Sequence, residues 1–525
     1  MSQQPLGPAA LLPSTTNPNS AILGIMKQYD LFIIGGGING TGIARDAAGR
    51  GLSVFLCEKG DLASGTSSAS TKLIHGGLRY LEFYEFRLVR EALHEREVLL
   101  NAAPHIIWPM EFVLPHSPHL RPSWMVRLGL FLYDHLARRK RLAGSYSVDL
   151  TESRFGKPLK KFVKTGFVYS DCWVEDSRMV VLNALQAHQK GAQIHSYTEF
   201  QGARREGDYW LITIKHSDGR IEAIQAKYLI NAGGAALSKI ATKIADVSAP
   251  PLPLHLVKGS HIVLPRLYEG EHAYILQNSD RRIVFTIPFE NEFTLVGTTD
   301  RDADPDDLKA PKISPEETDY LLSAVNMYFT RQVGAKDVLH TYSGIRPLFD
   351  DGESNASKVT RDYRLTLQDK CLSVYGGKIT TFRRLAEEAV NMILAERGDL
   401  DAHPKWTSGD ILPGGDIGES LAAFTQEISQ AYEFLPEEMA ARLASQYGTR
   451  IHALINKAQS LDDLGIHFGS DLYQREVDFL RETEWATNPD DILFRRTRIG
   501  MRSDLQTKAK LAEYMGFAVN DKAQD

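Results

Sequence analysis

Three glycines in six residues, Gly35-Gly36-Gly37-Ile38-Asn39-Gly40, fit the spacing G-x-G-x-x-G. There the first glycine makes a tight turn, the second lets the backbone approach a pyrophosphate, and the third lets helix and strand pack closely. Glu58 stands where a carboxylate about 20 residues further on accepts ribose hydroxyls. Behind it runs Gly65-Thr66-Ser67-Ser68-Ala69-Ser70-Thr71-Lys72, rich in hydroxyls and poor in core-forming residues, then His75-Gly76-Gly77-Leu78-Arg79-Tyr80. A polar loop directly behind a nucleotide site is suited to wrapping a second phosphate or a ring.

These residues need a strand before the glycines and a helix after them. Tyr29–Ile34 is a short apolar run, the small residues through Ala48 suit a helix, and Leu52–Leu56 reads as a second strand. That is a βαβ unit of a parallel sheet. Tyr228–Ile230, ending in Ala232, Gly233 and Gly234, reads as a further strand some 200 residues on, so the nucleotide domain is expected to be discontinuous. Glu85–Asn101 places Leu88, Val89, Ala92, Leu93, Leu99 and Leu100 largely on one helical face. From Ile379, Phe382, Leu385, Ala386, Ala389 and Ile393 recur at helical spacing, and Gly398 stands as a C-terminal cap. Gly376-Gly377-Lys378-Ile379-Thr380-Thr381 reads as the opening of that helix. Pro404, Gly409, Pro413, Gly414 and Gly415 punctuate a linker, beyond which the pattern is helical.

The 525 residues exceed one ordinary domain. Hydrophobic residues at 43% and charged residues at 24% suit a globular chain. A net charge of −6 offers no field for nucleic acid, so an anionic ligand must be held locally. Cys57, Cys172 and Cys371 fit neither a zinc pattern nor a disulfide framework, so no metal site is expected and a reducing compartment is. No apolar run reaches about 18 residues, and the start lacks the pattern of an export signal. Residues 1–27, rich in Pro, Ser, Asn and Gln, read as a disordered tail.

The fingerprint alone does not separate FAD from NAD, since both present adenosine, ribose and pyrophosphate. Seven segments go further: GGGING at 35–40, TSSAS at 66–70, KLIHGGLRYLE at 72–82, KGSHIV at 258–263, TYSGIRPL at 341–348, TRDY at 360–363 and GGKITT at 376–381. With these the chain closely resembles the FAD-dependent sn-glycerol-3-phosphate dehydrogenases, among the amino-acid-oxidase-like flavoproteins. LPGG at 412–415 extends the resemblance into the trailing helical region. Asn231-Ala232-Gly233-Gly234-Ala235 departs from that family's turn and puts a local flavin contact in question.

The resemblance implies an α/β fold: a Rossmann-like FAD-binding domain interrupted by a substrate-binding α+β domain within residues 28–397, then an all-α domain over 398–525. It implies FAD held by Gly35, Gly37, Ile38, Asn39, Gly40, Glu58, Thr66, Ser67, Ser68, Gly377, Lys378 and Thr380. The helix start at Gly377 would face the electron-rich edge of the flavin. Oxidation of sn-glycerol 3-phosphate to dihydroxyacetone phosphate is implied, with electrons passed to membrane quinone. Arg79, Tyr80, Arg346, Arg361 and Lys378 would bind the substrate, since guanidinium forks suit phosphate oxygens. A lone histidine beside an apolar strand is ordinarily structural. The resemblance makes His261 a candidate base with Lys378 as its rival, and Arg346 would stabilise charge on the carbinol oxygen. The rivals to this reading are an oxidase that passes electrons to oxygen, a non-catalytic flavin-binding regulator, and a nicotinamide dehydrogenase.

Quinone as acceptor implies a cytoplasmic enzyme resting on the inner face of the membrane, with a possible homodimer. Trp124, Leu128, Phe131, Leu132 and Leu136 fall on one helical side near Arg121, Arg127, Arg138, Arg139, Lys140 and Arg141. This stretch suits either an anionic lipid interface or an internal helix with a basic end. Arg495, Arg496, Arg498 and Arg502, near Ile492, Leu493, Phe494 and Met501, form a second candidate.

Overall fold

The computed structural model describes residues 27–116, 122–278, 280, 282–349 and 362–518. The apolar run at the start forms the strand Gln28–Ile34, and the glycines turn it into the helix Ile38–Gly49, which returns to the strand Val54–Cys57. Ile221–Asn231 pairs in parallel with the first strand on its other side, and Cys371–Tyr375 pairs in parallel with Ile221–Asn231. Gln193–His195 adds at the far edge, so three distant stretches of chain build one sheet.

Leu31, Phe32 and Ile33 are fully buried because both faces of this sheet are covered. On one face Ile43, Ala47, Val180, Leu185, Leu385 and Ala389 pack from the helices Ile38–Gly49, Asp176–Gln189 and Phe382–Arg397. On the other, Phe32 and Phe55 meet Trp210 and Ile212 of the hairpin Thr198–Glu206 and Tyr209–His216.

The interrupting residues build a second, ten-stranded mixed sheet. Its strand Leu254–Pro265 runs antiparallel to both Phe293–Gly297 and His340–Phe349, which puts His261 opposite Gly297 and Tyr342. Helix Pro315–Tyr328 packs on one face, with a Ser314/Glu317 capping box at its start. Helices Phe86–Ala102 and Ser123–His135 pack on the other.

The C-terminal region has its own core of Phe424, Met439, Leu443, Tyr447, Leu480 and Ile492. Helices carry it, with one small hairpin, His467–Gly469 and Leu472–Tyr473. It docks through buried ion pairs. Glu484 pairs with Arg178 and Arg450, and Arg496 donates twice at 2.8 Å to Asp61.

Two expectations need correction. The helix read from Gly376 begins only at Phe382, because Gly376 and Gly377 adopt φ of +73° and +98°, which a right-handed helix excludes. The basic residues near 495 do not form a lipid surface: Arg495 and Arg496 are tied to Asp61, and Arg498 to Glu175 and Glu290. The carboxylates that turn these arginines inward come from distant parts of the chain, so the basic residues alone did not reveal it.

Candidate active site

One cavity of about 1650 Å³ lies where the two sheets meet. The glycine turn forms its floor. A Cβ at Gly35 would lie 2.6 Å from the carbonyl oxygen of Ala232, and one at Gly40 only 1.9 Å from that of Gly35. Gly35 and Gly37 face the cavity, whereas Gly40 sits behind them as the helix-to-strand contact. Glu58 ends the second strand and accepts the N–H groups of Gly36 and Gly60 at 2.8 and 2.9 Å, which holds its carboxylate beside the turn. Ser67 reaches back to accept the N–H of Ile38 at 3.0 Å, and Thr66 donates to the carbonyl of Ile345. The hydroxyl-rich loop thus ties the nucleotide floor to the second sheet. Asn39 donates to the carbonyl of Gly376 at 3.1 Å, and Thr380 bonds the backbone of His75. These bonds draw Gly377, Lys378 and Thr380 to the same wall.

Glycines that leave the turn open to the cavity, the Glu58 carboxylate beside them and a cavity of this volume fit a flavin dinucleotide. Asn39 Oδ1 is buried without a hydrogen-bond partner in the structure, an acceptor aimed into this floor region. Ala232, Gly233, Gly234 and Ala235 line the cavity as well. Asn231 closes that divergent turn on itself, accepting the N–H of Gly233 and donating to the carbonyl of Leu237.

The same cavity carries cations. Arg79 and Tyr80 arrive on the short helix Leu78–Phe83, entered through Gly77 at φ +74°. Lys378 lies 4.2 Å from the centre of the Tyr80 ring. Arg79 makes no ion pair among the described residues. Arg346 lines the cavity too, but pairs with Asp300 and donates to Thr298 Oγ1 at 2.9 Å. Its guanidinium needs the space at Gly259, where a Cβ would lie 2.3 Å away. Arg361 lies outside the described residues, as does Arg121 in the basic stretch.

His261 lines the cavity at only 1% exposure. Its ring stacks on Tyr342 at 4.7 Å, its Nε2 is 3.0 Å from Thr71 Oγ1, and Gly297 leaves the ring its space. Burial, then the charges of Arg346 and Lys72, hold its pKa well below the ordinary value. It is therefore neutral, the state a proton acceptor requires.

Sequence reasoning gave no individual site role to Thr71, Lys72, Asp300 or Tyr342 and read Phe494 and Arg498 as part of a lipid contact, yet all six line the cavity. Thr71, Lys72 and Tyr342 lie in or beside the motifs already singled out, a usable signal. Nothing local marks Asp300 or turns Arg498 inward. Among the described residues there is no group of side chains arranged to hold a metal.

Residues 30–365 match the model of the FAD dependent oxidoreductase family, and residues 406–523 that of the C-terminal domain of alpha-glycerophosphate oxidase. A glycerol-3-phosphate dehydrogenase of Pseudomonas aeruginosa is 50% identical, over 94% of this chain and 96% of that one. A D-erythritol 1-phosphate dehydrogenase of Brucella abortus is 49% identical, over 94% of this chain and 98% of that one. The structure of a glycerol-3-phosphate dehydrogenase from Bacillus halodurans complexed with FAD aligns with a TM-score of 0.73 at 26% identity, covering 95% and 97% of the two chains.

Proposed function

The chain belongs to the FAD-dependent oxidoreductase family, and on that premise we propose that it oxidises sn-glycerol 3-phosphate to dihydroxyacetone phosphate and delivers the electrons to a membrane quinone. The observation that carries the reading is the convergence of Arg79, Arg346, Lys378 and His261 on the cavity that begins at the glycine turn.

Bound FAD supplies the two-electron acceptor for the hydride leaving C2. Gly35, Gly37, Ile38, Asn39, Glu58, Thr66, Ser67, Ser68, Gly377 and Thr380 would hold it. Arg79 and Lys378 hold the phosphate, and the Tyr80 ring supports Lys378 through its 4.2 Å contact with the ammonium. Arg346 orients the C2 oxygen and stabilises charge on it, while Asp300 keeps that guanidinium in place. His261 takes the hydroxyl proton, so the carbinol loses one hydride and one proton and becomes a ketone.

Anaerobic addition of glycerol 3-phosphate should bleach the yellow chromophore, and an unbleached flavin would overturn the reading. Dye reduction without peroxide separates the dehydrogenase from an oxidase. The Brucella relative favours one second reading, in which a four-carbon polyol phosphate is the better substrate. Comparing kcat/KM for glycerol 3-phosphate and D-erythritol 1-phosphate decides it.

The quinone implies a lipid contact, and the helix Ser123–His135 is suited to it. Trp124, Leu128 and Phe131 are 65%, 50% and 51% exposed. An internal helix would have covered them. Arg138 and Arg139 border the same helix, and the two features together suit an anionic interface. Among the described residues no helix is long and apolar enough to cross a membrane. Sedimentation with anionic liposomes should fall on Trp124→Ser with Phe131→Ser. Homodimerisation is part of the same reading, with light scattering as its check.

A further inference from the structure

The C-terminal domain reaches the cavity. Asp490, Phe494, Arg495, Arg498 and Met501 line it beside residues of both sheets. Phe494 stacks on His340 at 6.0 Å. Arg498, at a left-handed φ of +58°, sends its guanidinium between Glu175 and Glu290, the latter at 2.8 Å. Glu175 precedes the helix Asp176–Gln189 of the nucleotide domain, whereas Glu290 lies in the turn between Ile283–Phe289 and Phe293–Gly297 of the second sheet. One C-terminal side chain therefore bridges both other parts of the molecule.

From Glu175 a chain of charges and rings continues to His261. Asp176 accepts from Lys72 Nζ at 2.6 Å and from Ser70 Oγ at 2.8 Å. Lys72 lies 5.5 Å from the centre of the Tyr342 ring, which stacks on His261 and donates to the carbonyl of Ser70 at 3.0 Å. Thr71, between Ser70 and Lys72, meets the His261 ring. Every member is buried or nearly so, and a buried carboxylate that loses its cation rearranges or takes up a proton.

We propose that Arg498 is a positioning residue for the reaction: by clamping Glu175 to Glu290 it fixes the Asp176, Lys72 and Tyr342 array that sets the His261 ring against the substrate. With one terminal nitrogen of its guanidinium paired with Glu175 and the other with Glu290, Arg498 is a brace and not a phosphate anchor. The C-terminal domain is thereby a working part of the catalytic cavity. The inference rests on the reading of His261 as proton acceptor in this cavity.

The test uses the full-length FAD-bound protein and the variants Arg498→Gln, Arg498→Lys, Lys72→Gln and the Arg498→Gln/Lys72→Gln double. A brace acting through the array lowers kcat at least about tenfold in Arg498→Gln, because small displacements of a reacting group are costly. It leaves KM within roughly threefold, and the dissociation constant of dihydroxyacetone phosphate, read from the flavin difference spectrum, equally so. Arg498→Lys recovers most of the rate, and the double variant is no slower than the slower single one. An unchanged kcat, a rise in KM or product dissociation at normal kcat, or strictly additive losses would each overturn the proposal. Should Arg498→Gln fail to fold, Glu290→Gln breaks only the outer end of the clamp, and an unaltered kcat there overturns it as well. A wild-type flavin that no polyol phosphate bleaches overturns the functional reading together with this one. Normal wild-type bleaching with an unaffected Arg498→Gln overturns this one alone.

Discussion

Thr71 Oγ1 lies 3.0 Å from Nε2 of His261, and the two residues meet across 190 positions of sequence. With Tyr342 on one face of the ring and Gly297 close beneath it, the imidazole is held in one orientation. Burial first, then Arg346 and Lys72, push its pKa down. As the proposed base His261 works deprotonated, so the acid limb of kcat/KM is expected below the ordinary histidine value of about 6.5. Arg346→Gln, which removes one of those charges, should move the limb upward at reduced kcat. His261→Asn should abolish it. A wild-type limb above pH 7 would dismiss His261 as the base.

Arg79 enters the cavity without a carboxylate partner among the described residues, unlike Arg346, which is balanced by Asp300. In the proposed reaction its charge meets the ester. Truncating one member of a desolvated, hydrogen-bonded charge pair costs about 2 to 5 kcal/mol. Arg79→Ala should lower kcat/KM at least about 30-fold, mainly through KM, with the flavin spectrum intact. Steady-state kinetics of the loaded enzyme check this.

Gly40 has no room for a methyl group: its Cβ would lie 1.9 Å from the carbonyl oxygen of Gly35. Relief requires the strand and helix to part, which opens the floor that would hold the pyrophosphate. Gly40→Ala is expected to purify colourless or to lose FAD on gel filtration, with the C-terminal core still folded. Absorbance at the flavin band against total protein gives the answer.

His105 lies fully buried near the docking site of the C-terminal domain, and neither ring nitrogen has a hydrogen-bond partner. Burial, with Arg178 and Arg450 nearby, lowers its pKa to about 3. The folded state thus takes up this proton far less readily than the unfolded chain. Its contribution is complete above about pH 6.5 and is lost on acidification at about 1.4 kcal/mol per pH unit, down to the folded value. His105→Leu has no such proton to exclude. Relative to that variant the wild type should lose about 2 kcal/mol between pH 6.5 and 5, measured by denaturant unfolding at the two pH values.

The nucleotide floor was legible in the sequence because its chemistry is local. A strand, a glycine turn, a helix and a carboxylate at the next strand end lie within one short stretch, where backbone sterics and periodicity dictate the geometry. The interruption of that domain could also be read, from the apolar strand that returns at Tyr228. The resemblance added Arg79, Tyr80, His261, Arg346 and Lys378, which share the cavity although they come from four separate segments.

Tertiary structure alone decided what surrounds each charge. An arginine looks the same in sequence whether it meets solvent, a phosphate or a carboxylate from another domain. Only folding brought Asp300 to Arg346, Asp61 to Arg496, and Glu175 and Glu290 to Arg498. The basic stretch at 495–502 therefore became a buried joint, whereas the one beside Trp124 kept its apolar side exposed. Glycine spacing and periodicity act between near neighbours along the chain; desolvation and charge pairing act between whatever the fold places within a few ångströms.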